Sequence, residues 1–196
     1  MRSIPNFTVL TASDTVHTRW LLRCALEHPG PMYIRLSRDK LEDVYTEGES
    51  FQIGKGKIIR DGSDCTIVAN GAMLAVAAEA AAELCKSGIS ARVVDMFCLK
   101  PFDRELLISC ANETGIIVTA EEHSVIGGLG SAAAEVLSEE RCDAAFSRIG
   151  VQDEFTQSGD YGQLLQSYGL AAERIVKEVK RHCHDRAEKL YQKEAE

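Results

Sequence analysis

Between residues 65 and 151 the sequence alternates short, almost continuously apolar segments with longer segments of helical pattern. Apolar runs without polar alternation are typical of strands buried on both faces, and such strands form parallel sheets covered by helices. The pattern predicts an α/β fold with a three-layer α/β/α arrangement. Its mostly parallel five-stranded sheet uses residues 65–69, 91–97, 116–120 and 146–151, with an edge strand at residues 57–60.

The helical segments carry their own boundary signals. Pro101 and Asp103 are typical of the start of a helix that runs to residue 114. The other helices are predicted over residues 72–85, 130–140, 160–168 and 171–192.

The first 36 residues read as strand, helix and strand. Strands are predicted over residues 7–11 and 32–36, and Ser13 or Asp14 would cap the helix between them. The spacing of three apolar side chains predicts an inward face made of Val16, Trp20 and Cys24. A β-α-β unit of this size cannot form a core of its own, so we expect another part of the protein to cover it.

A polar stretch over residues 39–50 marks the predicted domain boundary. We therefore expect a separate unit over residues 1–45 and a main domain over residues 46–185. Residues 186–196 are almost entirely polar and predict a solvated tail with a frayed helix end.

Composition narrows the functional classes. Lysine and arginine total 22 against 30 acidic residues, and no segment carries the basic patch that nucleic-acid binding requires. No apolar run approaches the ~20 residues of a membrane span, and the start lacks a secretory signal. We expect a cytoplasmic protein with neither nucleic-acid nor membrane partners.

The seven cysteines are odd in number and form no Cys-x-x-Cys pair, so we expect reduced and mostly buried thiols. His182-Cys183-His184 is the one segment that suggests a metal. Adjacent helical residues point about 100° apart, so we interpret it as a surface feature and predict no metal site.

Glu121, Glu122 and His123 lie at the end of the strand predicted over residues 116–120. The carboxyl ends of parallel strands are where ligands bind, and a carboxylate beside a histidine suits acid–base chemistry. Alternatively, Glu121 or Glu122 caps the backbone N–H groups of the following glycine loop, with His123 as a polar wall. The sequence leaves both interpretations open.

The glycine loop contains Gly127, Gly128 and Gly130. With Ala133, the last two fit the dinucleotide-binding pattern Gly-x-Gly-x-x-Ala, but six residues separate the loop from the strand. The pattern therefore favours close packing of a helix start. An anion or a partner chain at the N–H groups is a third possibility.

Arg35 and Arg38 follow the second predicted strand. Strand alternation would place them on opposite faces. They could bind an anion such as phosphate, or form ion pairs with Glu42 and Asp43. The residues alone do not decide between these alternatives.

Several blocks, in this order, resemble the C-terminal portion of the transketolase family of thiamine-diphosphate enzymes. They read MRSIPNFTVLTASD, PMYIRLSRDKL, FQIGKGKIIRDGSDCTIVANGAML, GISARVVDMFCLKPFD, TAEEHSVIGGLGSAAAEVL and RIGVQDEFTQSGDYGQLLQSYGL. The separate polypeptide and the LSRDK element look most like the B half of split bacterial transketolases.

The resemblance implies transfer of a two-carbon ketol unit between sugar phosphates, with thiamine diphosphate and Mg²⁺ as cofactors of the complete enzyme. The family's activating glutamate, aromatic clamp and Gly-Asp-Gly metal motif have no counterpart in the sequence. We therefore expect no cofactor binding by this chain alone, and an oligomer with an N-terminal subunit or an upstream region. On this basis Met1 looks like an internal methionine, and residues 1–45 look like the end of the pyrimidine-binding domain.

The resemblance also implies roles for individual residues. Arg38 matches the arginine of the family's Leu-Ser-Arg element, which binds the sugar phosphate, whereas Arg35 is implied to be structural. The loop over residues 121–131 is implied to form an interface, and no catalytic residue is expected in this chain.

Four other functions compete with this expectation. A non-catalytic assembly module could retain the fold, and the same section occurs in deoxyxylulose-phosphate synthases and in 2-oxo acid dehydrogenase β-subunits. A nicotinamide-dependent oxidoreductase is the most distant alternative.

Overall fold

The computed structural model describes residues 1–194 and confirms the predicted α/β fold. Along the chain its elements are β1 (Thr8–Thr11), α1 (Thr15–Glu27), β2 (Met32–Arg35), β3 (Lys57–Arg60), β4 (Cys65–Ala69), α2 (Met73–Lys86), β5 (Ala91–Asp95), β6 (Cys98–Lys100), α3 (Arg104–Thr114), β7 (Ile116–Ser124), α4 (Leu129–Glu139), β8 (Ala145–Val151), α5 (Tyr161–Ser167) and α6 (Ala172–Glu194).

The main sheet has the strand order β3-β5-β4-β7-β8. Four of its strands pair in parallel, and β3 lies antiparallel at one edge. Helices α2 and α6 pack on one face around Leu74, Ile175 and Val179, while α3 and α4 cover the other around Leu107 and Leu129. The three layers arise because the central strands are apolar on both faces.

A second, smaller sheet has the order β2-β1-β6 and joins the start of the chain to its middle. The strand predicted over residues 91–97 is too long, since β5 ends at Asp95. The chain then crosses to the small sheet, where Cys98 pairs with Leu10 in antiparallel register. The β-α-β unit, which ends at Arg35, is thus completed by a strand that begins only at Cys98.

Helix α1 begins as predicted but presents a different face. Asp14 caps it by accepting a hydrogen bond from the N–H of His17 at 2.7 Å. The fully buried side chains are His17 and Leu21, whereas Val16, Trp20 and Cys24 are only partly buried. Val16 and Trp20 of the predicted face do pack against the core clusters, but the centre of the buried face is shifted because Phe97 and β6, which were not foreseen, lie against the helix.

A buried polar network links the small sheet to the end of β5. The fully buried carboxylate of Asp95 accepts hydrogen bonds from the hydroxyls of Ser13 at 2.6 Å and Tyr45 at 2.8 Å. Asp14 accepts two more from the backbone N–H groups of Val44 and Tyr45. The network therefore ties the start of α1 and the segment before β3 to the main sheet.

His17 lies beside this network in an aromatic enclosure. Its Nδ1 is 3.8 Å from the Asp95 carboxylate, and its ring stacks on Phe51 at 4.4 Å between centroids. Burial lowers the pKa of His17 to about 4 and raises the pKa of Asp95 to about 7. Both shifts arise because a low-dielectric environment disfavours the charged form.

The C-terminal helix corrects the expectation for the His-Cys-His segment. His182 is buried and shares a 2.7 Å hydrogen bond with the hydroxyl of Ser147, and Cys183 packs against the core. Only His184 is exposed, where it lies 3.2 Å from Glu188. The His-Cys-His segment is therefore not a surface feature, because α6 lies on the sheet over this length.

The polar tail is helical through Glu194, and residues 195 and 196 lie outside the described part of the chain. Arg186 in this segment donates a 2.9 Å hydrogen bond to the carbonyl of Thr114, at the end of α3. The first part of the tail is thus attached to the domain.

Helix α3 begins at Arg104, with Asp103 as its cap, so Pro101 precedes the helix and does not start it. Asp103 also accepts a hydrogen bond from the N–H of Gly56 at 2.9 Å. Among the described helices, none has the length and apolar composition needed to cross a membrane.

The shifted pKa of Asp95 predicts a specific dependence of stability on pH. The folded pKa of about 7 lies above the ordinary aspartate pKa of 3.8, so between these pH values the unfolded chain releases a proton that the folded chain keeps. Stability from this group is therefore lost as pH rises from about 4 to about 7. In urea unfolding, Asp95→Asn should gain stability relative to wild type over this range, by as much as about 1.4 kcal/mol per pH unit.

The exposed Asp153→Asn variant is the matched control for the loss of a carboxylate. A difference between Asp95→Asn and wild type that stays constant from pH 4 to pH 7 would contradict the raised pKa.

Candidate functional site

Two adjoining cavities lie where the carboxyl ends of β1 and β2 meet those of β4 and β7. The smaller has a volume of about 210 Å³ and the larger about 470 Å³. Thr11, Arg35 and Asn70 line both, so the two form one cleft between the sheets. The carboxyl ends of parallel strands are the usual location of ligand sites in such folds.

The smaller cavity contains both arginines that follow β2. Arg38 is exposed at its mouth and Arg35 is half-buried. Strand β2 ends at Arg35, so the predicted alternation fails beyond it and the two arginines line the same cavity. Among residues 1–194, neither forms an ion pair with Glu42 or Asp43.

Glu121 caps helix α4 from inside the domain. Its two carboxylate oxygens accept hydrogen bonds from the N–H groups of Leu129 and Gly130, each at 2.7 Å. The side chain is almost completely buried, and burial raises its pKa, although both hydrogen bonds act in the opposite direction. Of the two interpretations of the Glu-Glu-His segment, the contacts of Glu121 are those of a cap.

The glycine loop is shaped by this cap. A Cβ atom on Gly128 would overlap a carboxylate oxygen of Glu121, and one on Gly130 would lie 2.8 Å from the side chain of Arg148. Gly127 has a positive φ of 79°. The loop therefore fits the close-packing interpretation, and the anion position that the dinucleotide pattern would use is taken by Glu121.

The two residues that follow Glu121 line different cavities. Glu122 lines the smaller one and accepts a 3.2 Å hydrogen bond from the hydroxyl of Tyr161, at the start of α5. His123 lines the larger one, where its Nδ1 lies 3.8 Å from Glu121 and 2.8 Å from the carbonyl of Ser124. Strand alternation separates Glu122 from the other two residues.

The start of the chain closes one side of the larger cavity. Arg2 donates hydrogen bonds to Glu135 on α4 at 2.6 Å and to the carbonyl of Gly127 at 3.2 Å. Lys100 donates to the carbonyls of Arg2 and Ile4. These contacts attach residues 1–4 to the glycine loop and to β6.

Sequence reasoning missed Asn70, which lies immediately after β4 and is only 4% exposed. Its side chain lines both cavities. A polar residue followed by Gly71 at the end of an apolar strand is the signal that could have identified it.

Within residues 1–194, no three histidine, cysteine, aspartate or glutamate side chains come together as a metal-binding group. The seven cysteines are free thiols, of which Cys65, Cys98 and Cys110 are buried and Cys85 is exposed.

A family model described as "Transketolase, C-terminal domain" matches residues 54–175. The chain is 44% identical over 177 residues to the 6-deoxy-6-sulfo-D-fructose transketolase subunit SqwH of Clostridium sp. (strain MSTE9). The matched region covers 90% of this chain and 55% of SqwH. The chain is 42% identical over 179 residues to the 1-deoxy-D-xylulose-5-phosphate synthase of Heliobacterium modesticaldum, over 90% of this chain and 28% of that protein. The chain thus spans about half the length of the first relative and less of the second.

Two solved structures are similar to the fold. One, described as "Split gene transketolase, inactive beta4 tetramer", superposes with a TM-score of 0.88 at 48% identity, over 94% of this chain and 59% of its own. The transketolase of Campylobacter jejuni superposes with a TM-score of 0.70 at 20% identity, over 92% of this chain and 27% of its own. At that identity the second likeness shows the fold alone.

The cap on α4 predicts that Glu121 is required for stability. Glu121→Ala would leave two buried N–H groups without acceptors, at a cost of about 1–3 kcal/mol each. Urea unfolding at pH 7 should therefore show a loss of at least about 2 kcal/mol. Glu122→Ala removes one partly exposed carboxylate from the adjacent position and should cost less than about 1 kcal/mol. Equal losses in the two variants would contradict the capping role.

Proposed function

Because the chain belongs to the transketolase C-terminal domain family, we propose that it is the C-terminal section of a transketolase. In this proposal the complete enzyme transfers a two-carbon ketol unit between sugar phosphates. The chain itself contributes part of the substrate site and the domain that supports it, and it is inactive alone.

The position of Arg38 carries the proposal. It is exposed and lines the smaller cavity with Arg35, and no acidic side chain among the described residues pairs with it within 4 Å. A planar guanidinium suits bidentate binding of phosphate. We assign the sugar phosphate to Arg38, in agreement with the Leu-Ser-Arg element that the chain shares with the family.

We further propose that residues 1–45 are the end of the pyrimidine-binding domain, that residues 46–185 are the C-terminal domain and that residues 186–196 are a tail. The small sheet, which also takes β6 from residues 46–185, supports an incomplete domain at residues 1–45, because α1 covers only one of its faces and β2 has no partner on its outer edge within residues 1–194. Tyr33 and Leu99 lie on the other face, toward the larger cavity. We expect missing strands and helices of the same domain to cover these surfaces.

The cofactors of the complete enzyme would be thiamine diphosphate and Mg²⁺. The described residues do not fit this pair, since they contain no cluster of carboxylates or other ligands for a divalent cation. When bound, the cofactor supplies the carbanion chemistry. We therefore assign its site to an N-terminal subunit or upstream region and give the present residues only substrate binding and support.

The lengths and descriptions of the similar proteins support a partner polypeptide for this chain. The chain spans 55% of SqwH, which is itself named a subunit, and the similar split-gene structure is described as an inactive tetramer. We propose a hetero-oligomer in which the missing part joins this chain at the small sheet, with the loop over residues 121–131 near the interface. The similarity to a 1-deoxy-D-xylulose-5-phosphate synthase makes that reaction the second candidate.

Reconstitution tests the function directly. The chain is co-purified with the polypeptide that carries the metal motif, and the complex is assayed with thiamine diphosphate, Mg²⁺ and a ketose phosphate plus an aldose phosphate. We expect two-carbon transfer by the complex and none by either part alone. Condensation of pyruvate with an aldose phosphate would instead favour the synthase. Self-association without a partner or activity would favour an assembly module.

In the reconstituted enzyme, Arg38→Ala should raise the KM for phosphorylated sugars at least about tenfold, because a hydrogen bond to a charged group contributes about 1.5–3 kcal/mol. The KM for an unphosphorylated sugar should change little. The matched control is Arg23→Ala, which removes an exposed arginine from α1. An unchanged KM for phosphorylated sugars in Arg38→Ala would remove the phosphate assignment.

A further inference from the structure

The N-terminus of α2 opens into the smaller cavity without a side chain that caps it. The N–H groups of Met73 and Leu74 turn back to the carbonyls of Asn70 and Gly71. Within the described residues, the N–H groups of Gly71 and Ala72 make no comparable turn or cap bond. The first N–H groups of a helix carry partial positive charge and attract anions.

Asn70 provides an independent sign that this position takes a ligand. The residue is only 4% exposed and lines both cavities, and none of the side-chain hydrogen bonds among the described residues involves its amide. Within residues 1–194, the fully buried side-chain atoms that lack a partner belong to His17, Asp95 and Thr119, so the unpaired amide of Asn70 is accessible from the cavity. Its NH₂ group can donate to an oxyanion.

Gly71 sets the position of this helix end. It has a positive φ of 56°, and a Cβ atom there would lie 2.7 Å from the methyl group of Thr11. The absence of a side chain therefore lets the start of α2 come close to the carboxyl end of β1. This approach brings the main sheet to the cavity that Arg35 and Arg38 line from the small sheet.

The charges around the cavity favour a single oxyanion. Arg35 and Arg38 provide two positive charges, and the helix end adds a partial one. Glu122, which accepts a hydrogen bond from the hydroxyl of Tyr161, is the carboxylate that lines this cavity, while Glu121 lines the adjoining one with Arg35. The two arginines and the helix end together exceed these carboxylates in charge, which favours an anionic head group.

We propose that Asn70, Arg35 and the open N-terminus of α2 form, with Arg38, one subsite for the terminal phosphate or sulfonate of a sugar. This inference rests on the proposed function, because it adds groups to the phosphate position at Arg38. It assigns the C-terminal domain a direct part in substrate binding. Asn70 and Arg35 are thus specificity-determining residues.

Titration of the ¹⁵N-labelled chain with inorganic phosphate at constant ionic strength tests the subsite without any cofactor. We expect saturable shifts of the backbone amides of Gly71 and Ala72 and of the Asn70 side-chain NH₂ signals. Asn70→Asp keeps the side-chain size but places a carboxylate against the anion, and should weaken binding at least about tenfold. Asn112→Asp, an exposed position on α3, is the matched control and should bind like wild type.

The outcomes separate the inference from the proposed function. Wild-type phosphate binding by Asn70→Asp, shifts confined to other residues, or no saturable binding would overturn the subsite, whatever the complete enzyme does. Phosphate binding that depends on Asn70 would support it even if the reconstituted complex transferred no two-carbon unit. If Asn70→Asp does not give a folded spectrum, Asn70→Ala replaces it: weakened binding supports the subsite and unchanged binding overturns it.

Discussion

The crossing of the chain from β5 to β6 holds the two sheets together. Within two residues the backbone leaves the main sheet, where the N–H of Met96 bonds to Ala69, and enters the small one, where the carbonyl of Phe97 accepts from Thr11. Asp95, the last residue of β5, accepts hydrogen bonds from the hydroxyls of Ser13 and Tyr45. The cleft exists because this crossing fixes the carboxyl ends of both sheets side by side.

The same crossing explains why polar groups are buried at the junction. Asp95 and His17 lie 3.8 Å apart, and one atom of each, Oδ1 and Nε2, has no partner among the described residues. Such groups reduce stability unless their charged forms are suppressed, which agrees with the opposite pKa shifts of the two side chains. The junction therefore has a specific geometry, and the stability that it contributes depends on pH.

The sequence predicted the main sheet because its strands are long, apolar and regularly spaced. It did not predict β6, since three residues separated from β5 by two carry no period of their own. The errors around it follow: the inward face of α1 depends on Phe97, and the roles of Tyr45 and Asp95 depend on contacts 50 residues apart. Arg35, Arg38 and Glu121 were candidates from their residue types and positions. Asn70 carries only the weak signal of a polar residue before Gly71, and its place in the cleft depends on the meeting of two sheets.

Of the two helix N-termini near the cleft, the one with the more conspicuous sequence motif is the less available to a ligand. The glycine loop before α4 resembles an anion-binding turn, but Glu121 already occupies its N–H groups with both oxygens. The start of α2 has only Asn70 and Gly71 to mark it, yet no side chain caps it and two arginines face the same cavity. A helix N-terminus can bind a ligand only where the protein has not supplied its own carboxylate. Helix α2 meets that condition, and Arg38 of the small sheet lines the same cavity.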